Sequence, residues 1–199
     1  MVWKDGGMAL WMTTDEDANR LLASDPFALV VGMTLDQQYP MEAAFAGPKK
    51  IADRMDGFDI RKIADADPAE FEELCATPPA IHRYGRSMAR RVQALARVVI
   101  DEYDGDPAAI WTRDKPSAVE VFRRLKALPG WGDQKCKIFI ALLGKQLDVQ
   151  PYGWRKAAGD YGQKNSHRSI ADVTSAESLQ EVRAFKKAHK AAAKAASGS

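Results

Sequence analysis

The chain is poor in the features that would fix its class at once. Its two cysteines, Cys75 and Cys136, both fall in apolar helical patterns, so we expect buried thiols in a reducing compartment. The three histidines have no metal-ligand spacing, and we predict no metal site. No apolar run approaches the roughly 20 residues of a membrane span and the start lacks a secretory apolar region, so we expect a cytoplasmic protein, nucleoid-associated if bacterial.

Net charge is also small. The 29 Lys and Arg nearly balance the 27 Asp and Glu, leaving +2, so any nucleic-acid surface must depend on where the charges lie. Apolar residues make up 46% of the chain and charged residues 28%, which is typical of a soluble globular protein. Apolar residues recur at helical spacing, and Asp25-Pro26 and Asp67-Pro68 read as helix openings. We therefore predict an all-α fold.

The stretch 125–140 reads as two helices joined by a tight turn. Pro129 and the glycines Gly130 and Gly132 end the first helix, and Asp133 opens the second. Apolar positions of the second helix at i, i+3, i+4 and i+7 predict one buried face, consisting of Cys136, Phe139, Ile140 and Leu143. Free backbone N–H groups beside the glycines are suited to hold a phosphate, with Lys135 and Lys137 outside the buried set. The alternative is an ordinary helical hairpin with a glycine cap.

An arginine-rich segment precedes a long helix that we expect to end at Tyr103. No acid occurs between Ile81 and Ile100. Such a run favours phosphate contacts, with an aromatic ring to stack on a base or sugar. The predicted DNA contacts here are Arg83, Tyr84, Arg86, Arg90 and Arg91. The alternative is a solvated basic face of a helix.

The helix predicted after Asp25-Pro26 is apolar nearly all round, yet it ends in Asp36, Gln37 and Gln38. An acid at a helix C-terminus opposes the helix dipole. Glu42 is the only charge of the next short helix, 40–46. An unpaired charge in an apolar setting is costly unless it has a use, so Asp36 and Glu42 are candidate functional acids. The alternative for Asp36, Gln37 and Gln38 is a solvated helix terminus.

Three of these segments together resemble the HhH-GPD superfamily of base-excision DNA glycosylases, which includes endonuclease III and the adenine and alkyladenine glycosylases. Residues 128–132 are similar to the family's Leu-Pro-Gly-x-Gly hairpin, which grips a DNA phosphate, often with a monovalent cation. Residues 35–38 are similar to its Leu-Ser-x-Gln segment, whose Gln faces the lesion pocket, with Asp36 in place of Ser. Residues 84–107 are similar to its Tyr/Asn-Lys-Ala segment and the helix that follows. The resemblance covers roughly residues 29–162.

The resemblance implies an all-α fold of two helical lobes flanking a cleft, with a helix-hairpin-helix motif. The middle of the chain would form one lobe, and the N- and C-terminal segments the other. We expect a helical domain over 1–182, with the hairpin at 125–145, and a basic Ala/Lys-rich tail over 183–199. The implied partner is double-stranded DNA, bound by a monomer. No cofactor is expected beyond a monovalent cation at the hairpin, and the absence of cysteine after Cys136 excludes the four-cysteine iron–sulfur cluster of many relatives.

The sequence departs from the family at two positions. The Asp that stabilises positive charge on the sugar is replaced by Gln150 or Gly153, depending on the alignment. The lysine that forms a Schiff base in strand-cutting members is Gln134, and Lys135 is rotated by about 100° around the helix. Candidate replacements for the missing acid are Asp36, then Glu42, then Asp148. The candidate pocket residues are Gln37, Gln38, Gln150, Tyr152 and Trp154.

The predicted function is a DNA glycosylase that flips a damaged or unusual base and hydrolyses its N-glycosidic bond without cutting the strand. One alternative is a non-catalytic helix-hairpin-helix protein that recognises lesions or DNA structure, which the missing Asp favours. Another is a helical scaffold unrelated to nucleic acid. Retention of Asp36 and Glu42 in apolar settings favours the enzyme.

Overall fold

A computed structural model of the chain describes residues 10–197, apart from the side chains of residues 193, 194, 196 and 197. The described residues form helices and connecting turns without a β-strand, which confirms the predicted all-α class. The helices are α1 (Glu16–Ser24), α2 (Pro26–Leu35), α3 (Met41–Phe45), α4 (Gly47–Arg54), α5 (Ile60–Asp65), α6 (Pro68–Ala76), α7 (Gly85–Tyr103), α8 (Ala109–Thr112), α9 (Ala118–Lys126), α10 (Asp133–Gln146), α11 (Trp154–Ala158) and α12 (Ala176–Ser197). Two 3₁₀ turns, Gly159–Gly162 and Ile170–Asp172, lie between α11 and α12.

Short polar signals in the sequence start several of these helices. The side chain of Asp25 accepts hydrogen bonds from the amides of Phe27 and Ala28, and Pro26 occupies the first turn of α2. Asp67 caps α6 in the same way, ahead of Pro68. A carboxylate at this position satisfies amides that have no partner within the helix. Both predicted helix openings are confirmed.

The helices pack in two groups, α1–α7 and α8–α12, with close backbone packing mainly inside each group. The hairpin formed by α9 and α10 lies at the border, where Trp131 and Lys135 reach α2. Side-chain contacts also join the C-terminal helix to the N-terminal segment, since Arg183 of α12 pairs with Glu42 of α3. The expected division, with the middle of the chain in one lobe and the N- and C-terminal segments in the other, stays a prediction.

Two helices carry most of the core near the site. The apolar stripe of α7 is buried, consisting of Met88, Val92, Leu95, Val99 and Tyr103. The predicted face of α10 is buried too, but so are Ile138, Ala141 and Leu142 on its other sides. The α10 helix is therefore surrounded by protein through most of its length, because α9, α11 and both 3₁₀ turns pack on it.

The predicted boundaries shift at two places that matter for the site. The helix expected over 27–38 ends at Leu35, so Gln37 and Gln38 lie in the following turn, where Gln38 has a φ of 52°. The C-terminal helix α12 runs without interruption from Ala176 to Ser197, so the predicted boundary between residues 182 and 183 falls inside it. Among the described residues, no helix is both long and apolar enough to cross a membrane.

Close packing of α11 on α10 yields a test of the fold. A Cβ added at Gly144 would lie 2.5 Å from the ring of the buried Trp154. Gly144→Ala should therefore lower the free energy of unfolding by about 1–3 kcal/mol, measured by urea titration. Gly144→Ala/Trp154→Phe is the matched double variant, because a smaller ring leaves room for the methyl. If the double variant loses as much unfolding free energy as the two single variants together, the proposed clash is contradicted.

Candidate functional site

The hairpin turn between α9 and α10 is closed by backbone bonds. The amide of Leu128 donates to the carbonyl of Leu125, and the amide of Trp131 donates to the carbonyl of Leu128, each at 3.1 Å. Gly130 has a φ of +78°, and a Cβ there would lie 2.7 Å from the Arg91 side chain. Gly132 has an ordinary φ of −101°, and a Cβ there would meet nothing within 4 Å. The first glycine is thus required by the turn itself, whereas the second leaves open space above the start of α10.

The start of α10 is also suited to an anion by its electrostatics. Gly132 is the N-cap residue and no side chain caps the helix, so its first amides have no partner within the helix. Asp133 is held by an ion pair with Lys126 at the end of α9. Lys126 and Lys137 both lower the pKa of the Asp133 carboxyl. Free amides at the positive end of a helix dipole favour an anion, so this turn is suited to a phosphate.

Trp131 fixes the turn against α2. Its ring is buried, with an edge-on contact to Phe139 at 5.2 Å between centroids. The indole Nε1 donates to Thr34 Oγ1 at 3.0 Å. Thr34 in turn donates to the carbonyl of Val30 at 2.8 Å. The hairpin is therefore held at the C-terminal end of α2 by a buried hydrogen-bonded chain.

Lys135 points inward rather than toward solvent. Its Nζ donates to the carbonyl oxygens of Met33 and Thr34, the latter at 2.9 Å, and lies 3.5 Å from the carbonyl of Asp36. These are the last carbonyls of α2, which lack partners within the helix and attract a cation. Burial lowers the pKa of Lys135 to about 8, opposed by the charge of Asp36. The residue predicted as a DNA contact thus caps α2 in this structure.

Asp36 is the C-cap residue of α2, directly after Leu35, and is half-buried. Burial raises the pKa of its carboxyl above the ordinary value, whereas the charges of Lys186 and Lys135 lower it. Lys186 comes from α12 and Lys135 from α10. A carboxylate with a raised pKa between two lysines is the kind of group found at reaction centres.

The two glutamines after Asp36 are held by the arginine-rich segment. Gln37 Oε1 accepts from Arg91 Nη1 at 2.8 Å, and Gln38 Oε1 accepts from Arg83 Nη2 at 2.9 Å. Arg91 also lies against Gly130 of the hairpin. Gln37 and Gln38 are exposed, so their amide groups remain within reach of a ligand. The structure thereby brings together the hairpin, the α2 terminus and part of the arginine run.

His82 supports this junction, although no signal in the sequence singled it out. It is buried, its Nε2 lies 3.0 Å from the carbonyl of Gln37, and its Nδ1 accepts the amide of Tyr84 at 3.0 Å. Those partners assign the proton to Nε2. Burial lowers the pKa of His82, which favours the neutral form of the ring. Its role is to fix the turn that carries Gln37.

The remaining arginines divide into two groups. Arg86 and Arg90 pair with Glu73 and Glu72 of α6, so the acids absent from the local sequence come from another helix. Arg83 is different, because its guanidinium lies 4.7 Å from the ring centroid of Tyr84, which is 54% exposed. Arg83, Tyr84 and Arg91 are therefore the members of the segment that lie at the site.

Glu42 lies on α3 and is ion-paired with Arg183 of α12. The Nζ of Lys186 lies 3.6 Å from the sulfur of the adjacent Met41. The segment predicted as a basic tail thus supplies counter-charges to the acids of the N-terminal half. The sequence could not indicate this, because residues 42 and 183 are joined only by the fold.

Four further predicted residues lie elsewhere. Asp148 is exposed, with a φ of 52°. Gln150 donates to the carbonyl of Gly144 at 3.0 Å, Tyr152 is 92% exposed, and Trp154 is buried against α10. All four follow the C-terminal end of α10, a helix of 14 residues that is about 20 Å long, whereas Lys135 and Asp36 meet at its other end. The structure does not bring these residues into one pocket with Asp36.

The part of the chain that the structure describes is helical, and its glycine-rich turn joins two helices as in a helix-hairpin-helix motif. A model of the family described as HhH-GPD superfamily base excision DNA repair protein matches residues 31–198. The chain belongs to the HhH-GPD superfamily of base excision DNA repair proteins. No curated protein and no solved structure matches it.

The contrast between the two hairpin glycines generates a prediction. Gly132→Ala should leave the melting temperature unchanged, because its φ is ordinary and its surroundings are open. It should weaken binding to a DNA duplex about tenfold, because the methyl keeps a phosphate from amides whose charge-assisted bonds stabilise by about 1.5–3 kcal/mol. Fluorescence anisotropy measures the affinity, and the melting temperature shows whether the variant is folded.

Gly130→Ala should behave in the opposite way to Gly132→Ala. Its φ of +78° makes a side chain strained, so it should lower the melting temperature. Wild-type affinity in a folded Gly132→Ala protein would show that the hairpin does not hold a phosphate.

Proposed function

We propose that this protein is a monofunctional DNA glycosylase of base excision repair. It binds double-stranded DNA, extrudes a damaged or unusual base and hydrolyses the N-glycosidic bond without cutting the strand. The observation that carries the proposal is the Asp36 carboxyl, half-buried at the end of α2 beside the hairpin and flanked by Lys135 and Lys186. Family membership supports a role in base excision repair.

Asp36 supplies the charge that the reaction needs. As the base departs, the sugar develops positive charge, and a fixed carboxylate away from bulk water stabilises that charge. The same carboxylate can orient the attacking water. Burial raises the pKa of the Asp36 carboxyl, and the charges of Lys186 and Lys135 oppose that rise, so the group acts as a carboxylate at pH values above its raised pKa.

The DNA would be positioned by the groups around this carboxylate. The amides of the Gly132 turn and the dipole of α10 hold one phosphate. Arg91 and Arg83, which hold Gln37 and Gln38, can turn to neighbouring phosphates. The exposed ring of Tyr84 is available for stacking on a base or sugar. The two glutamine amides can form hydrogen bonds with the edge of an extruded base.

Replacement of the acid tests the proposal. Asp36→Asn should lower the single-turnover rate a hundredfold or more, a barrier increase of roughly 3 kcal/mol, while duplex affinity stays within a factor of two. The measurement uses duplexes that each carry one defined lesion, with alkali to reveal abasic sites. Asp148→Asn, an exposed acid at the other end of α10, is the matched control and should retain the wild-type rate.

The pH profile adds a second readout on the same variants. Because the pKa of Asp36 is raised and the ionised form acts, the wild-type rate should rise as pH increases through that value. Asp36→Asn should lose this dependence. Full activity of Asp36→Asn on a processed substrate would overturn the assignment, and loss of activity in Glu42→Gln would transfer it to Glu42.

The reaction should stop at the abasic site. Gln134 stands where strand-cutting relatives have lysine and donates to the Tyr161 hydroxyl at 2.9 Å, while the Lys135 ammonium is engaged by α2 carbonyls. Borohydride added during turnover should therefore trap no covalent protein–DNA adduct. The control is a strand-cutting glycosylase under the same conditions. An adduct that Lys135→Met abolishes would identify Lys135 as a nucleophile.

The alternative is a protein that recognises lesions without excising the base. It is favoured by the placement of Gln150, Tyr152 and Trp154 away from Asp36, and by the pairing of Glu42 with Arg183. The lesion panel separates the two functions. Tighter binding to a lesion duplex without abasic sites on any substrate would favour the binding protein.

A further inference from the structure

The second half of α12 extends beyond the packed body of the protein. Leu179 and Val182 are buried, and Phe185 is half-buried under the guanidinium of Arg168. From Lys186 onward, every side chain that the structure describes is exposed. This part of the helix therefore has no apolar face in contact with the rest of the described protein.

The projecting helix has a basic face. With 100° of rotation per residue, positions 183, 186, 187, 190 and 194 fall within an arc of about 100° and span about 17 Å. All five positions carry Lys or Arg, and no acid follows Glu181. Alanines occupy most of the remaining positions. We call these five positions the basic stripe.

A solvated helix would not favour this arrangement of charge. Positions 183 and 187, 186 and 190, and 190 and 194 are four residues apart, a spacing at which like charges destabilise a helix. Exposed helices usually alternate the sign of their charges, which stabilises them instead. Alanine and lysine are strong helix formers and keep the segment helical despite the repulsion. The positive charges of the basic stripe thus repel one another, and a bound polyanion would reduce that repulsion.

The base of the stripe lies at the candidate site. Arg183 pairs with Glu42 of α3, and Lys186 lies against Met41, five residues after Asp36 in the sequence. Lys187 and Lys190 continue away from this point along the same face. The stripe is therefore continuous with the surface that carries Asp36, the glutamines and the hairpin.

We propose that the basic stripe of α12 binds the phosphate backbone of duplex DNA next to the segment held by the hairpin. This inference rests on the proposed function, because the duplex must already be bound at the hairpin. A DNA duplex carries about one negative charge per 1.7 Å of its axis, so a 17 Å stripe faces enough phosphates for several contacts. An acidic protein could use the same charges, and the test separates that case.

The test removes two lysines from the projecting part. Lys187→Gln/Lys190→Gln removes two positive charges and keeps helix propensity, since Lys and Gln are similar helix formers. Lys62→Gln/Lys115→Gln is the matched control, with the same charge change at two exposed positions on α5 and before α9. Affinity is measured by anisotropy over a range of KCl concentrations. The ligand is an undamaged 25-base-pair duplex, which is longer than two helical turns of about 34 Å each.

The stripe pair should reduce the slope of log K against log salt by about two, or about one per lost phosphate contact, and weaken binding tenfold or more at 0.1 M salt. The control pair should keep the wild-type slope. Circular dichroism and the melting temperature should be unchanged in both. Equal slopes in the two pairs, whether both wild-type or both reduced, would overturn the proposal, as would a poly-glutamate peptide that binds the stripe as tightly as the duplex does.

Failure of this inference is distinguishable from failure of the proposed function. If the wild-type protein binds duplexes, forms abasic sites and loses affinity in Gly132→Ala, but the stripe pair keeps the wild-type slope, only the role of α12 is overturned. If the wild-type protein binds no duplex, both are overturned together.

Discussion

The site depends on one contact, in which the start of α10 is fastened to the end of α2. Trp131 donates to Thr34, and Lys135 donates to the last carbonyls of α2, although about a hundred residues separate the partners in sequence. A helix C-terminus buried without partners would be costly, so Lys135 satisfies a need of α2 while it fixes the hairpin. The turn proposed to hold a phosphate and the terminus that carries Asp36 are thereby held in one arrangement.

The charges of the site come from both halves of the chain. Asp36 and Glu42 belong to the N-terminal half, whereas Lys135, Arg183 and Lys186 belong to the C-terminal half. A half-buried charge without its partner is destabilising, so each half needs the other at this border. The α12 helix consequently has two parts. Its first turns supply positive charge beside the acids of the site, and its later turns carry exposed basic residues. The family match, which runs to residue 198, includes both.

Local signals predicted local structure well. Asp25-Pro26, Asp67-Pro68 and the Pro129-to-Asp133 turn each lie within a few residues of the feature they encode, and the helices begin or end there. Long-range pairing was beyond such signals. Arg86 and Arg90 looked unneutralised because Glu73 and Glu72 lie on another helix. Lys135 looked exposed because the periodicity of α10 indicated one buried face, whereas the fold covers several. His82 offered no pattern at all.

The burial of Asp36 and Lys135 has a consequence for stability. The pKa of Asp36 is raised and that of Lys135 is lowered to about 8, in both cases chiefly by burial. A carboxyl with a raised folded pKa binds protons more tightly in the folded state, so stability falls as pH rises from the unfolded pKa to the folded one. A lysine with a lowered folded pKa acts in the opposite sense, and stability rises as pH passes from about 8 toward the unfolded value. Each group therefore contributes least to stability in its ionised form, the Asp36 carboxyl above its raised pKa and the Lys135 ammonium below about 8. The rest of the fold must hold this arrangement in place, as expected where polar groups are retained for function rather than for stability.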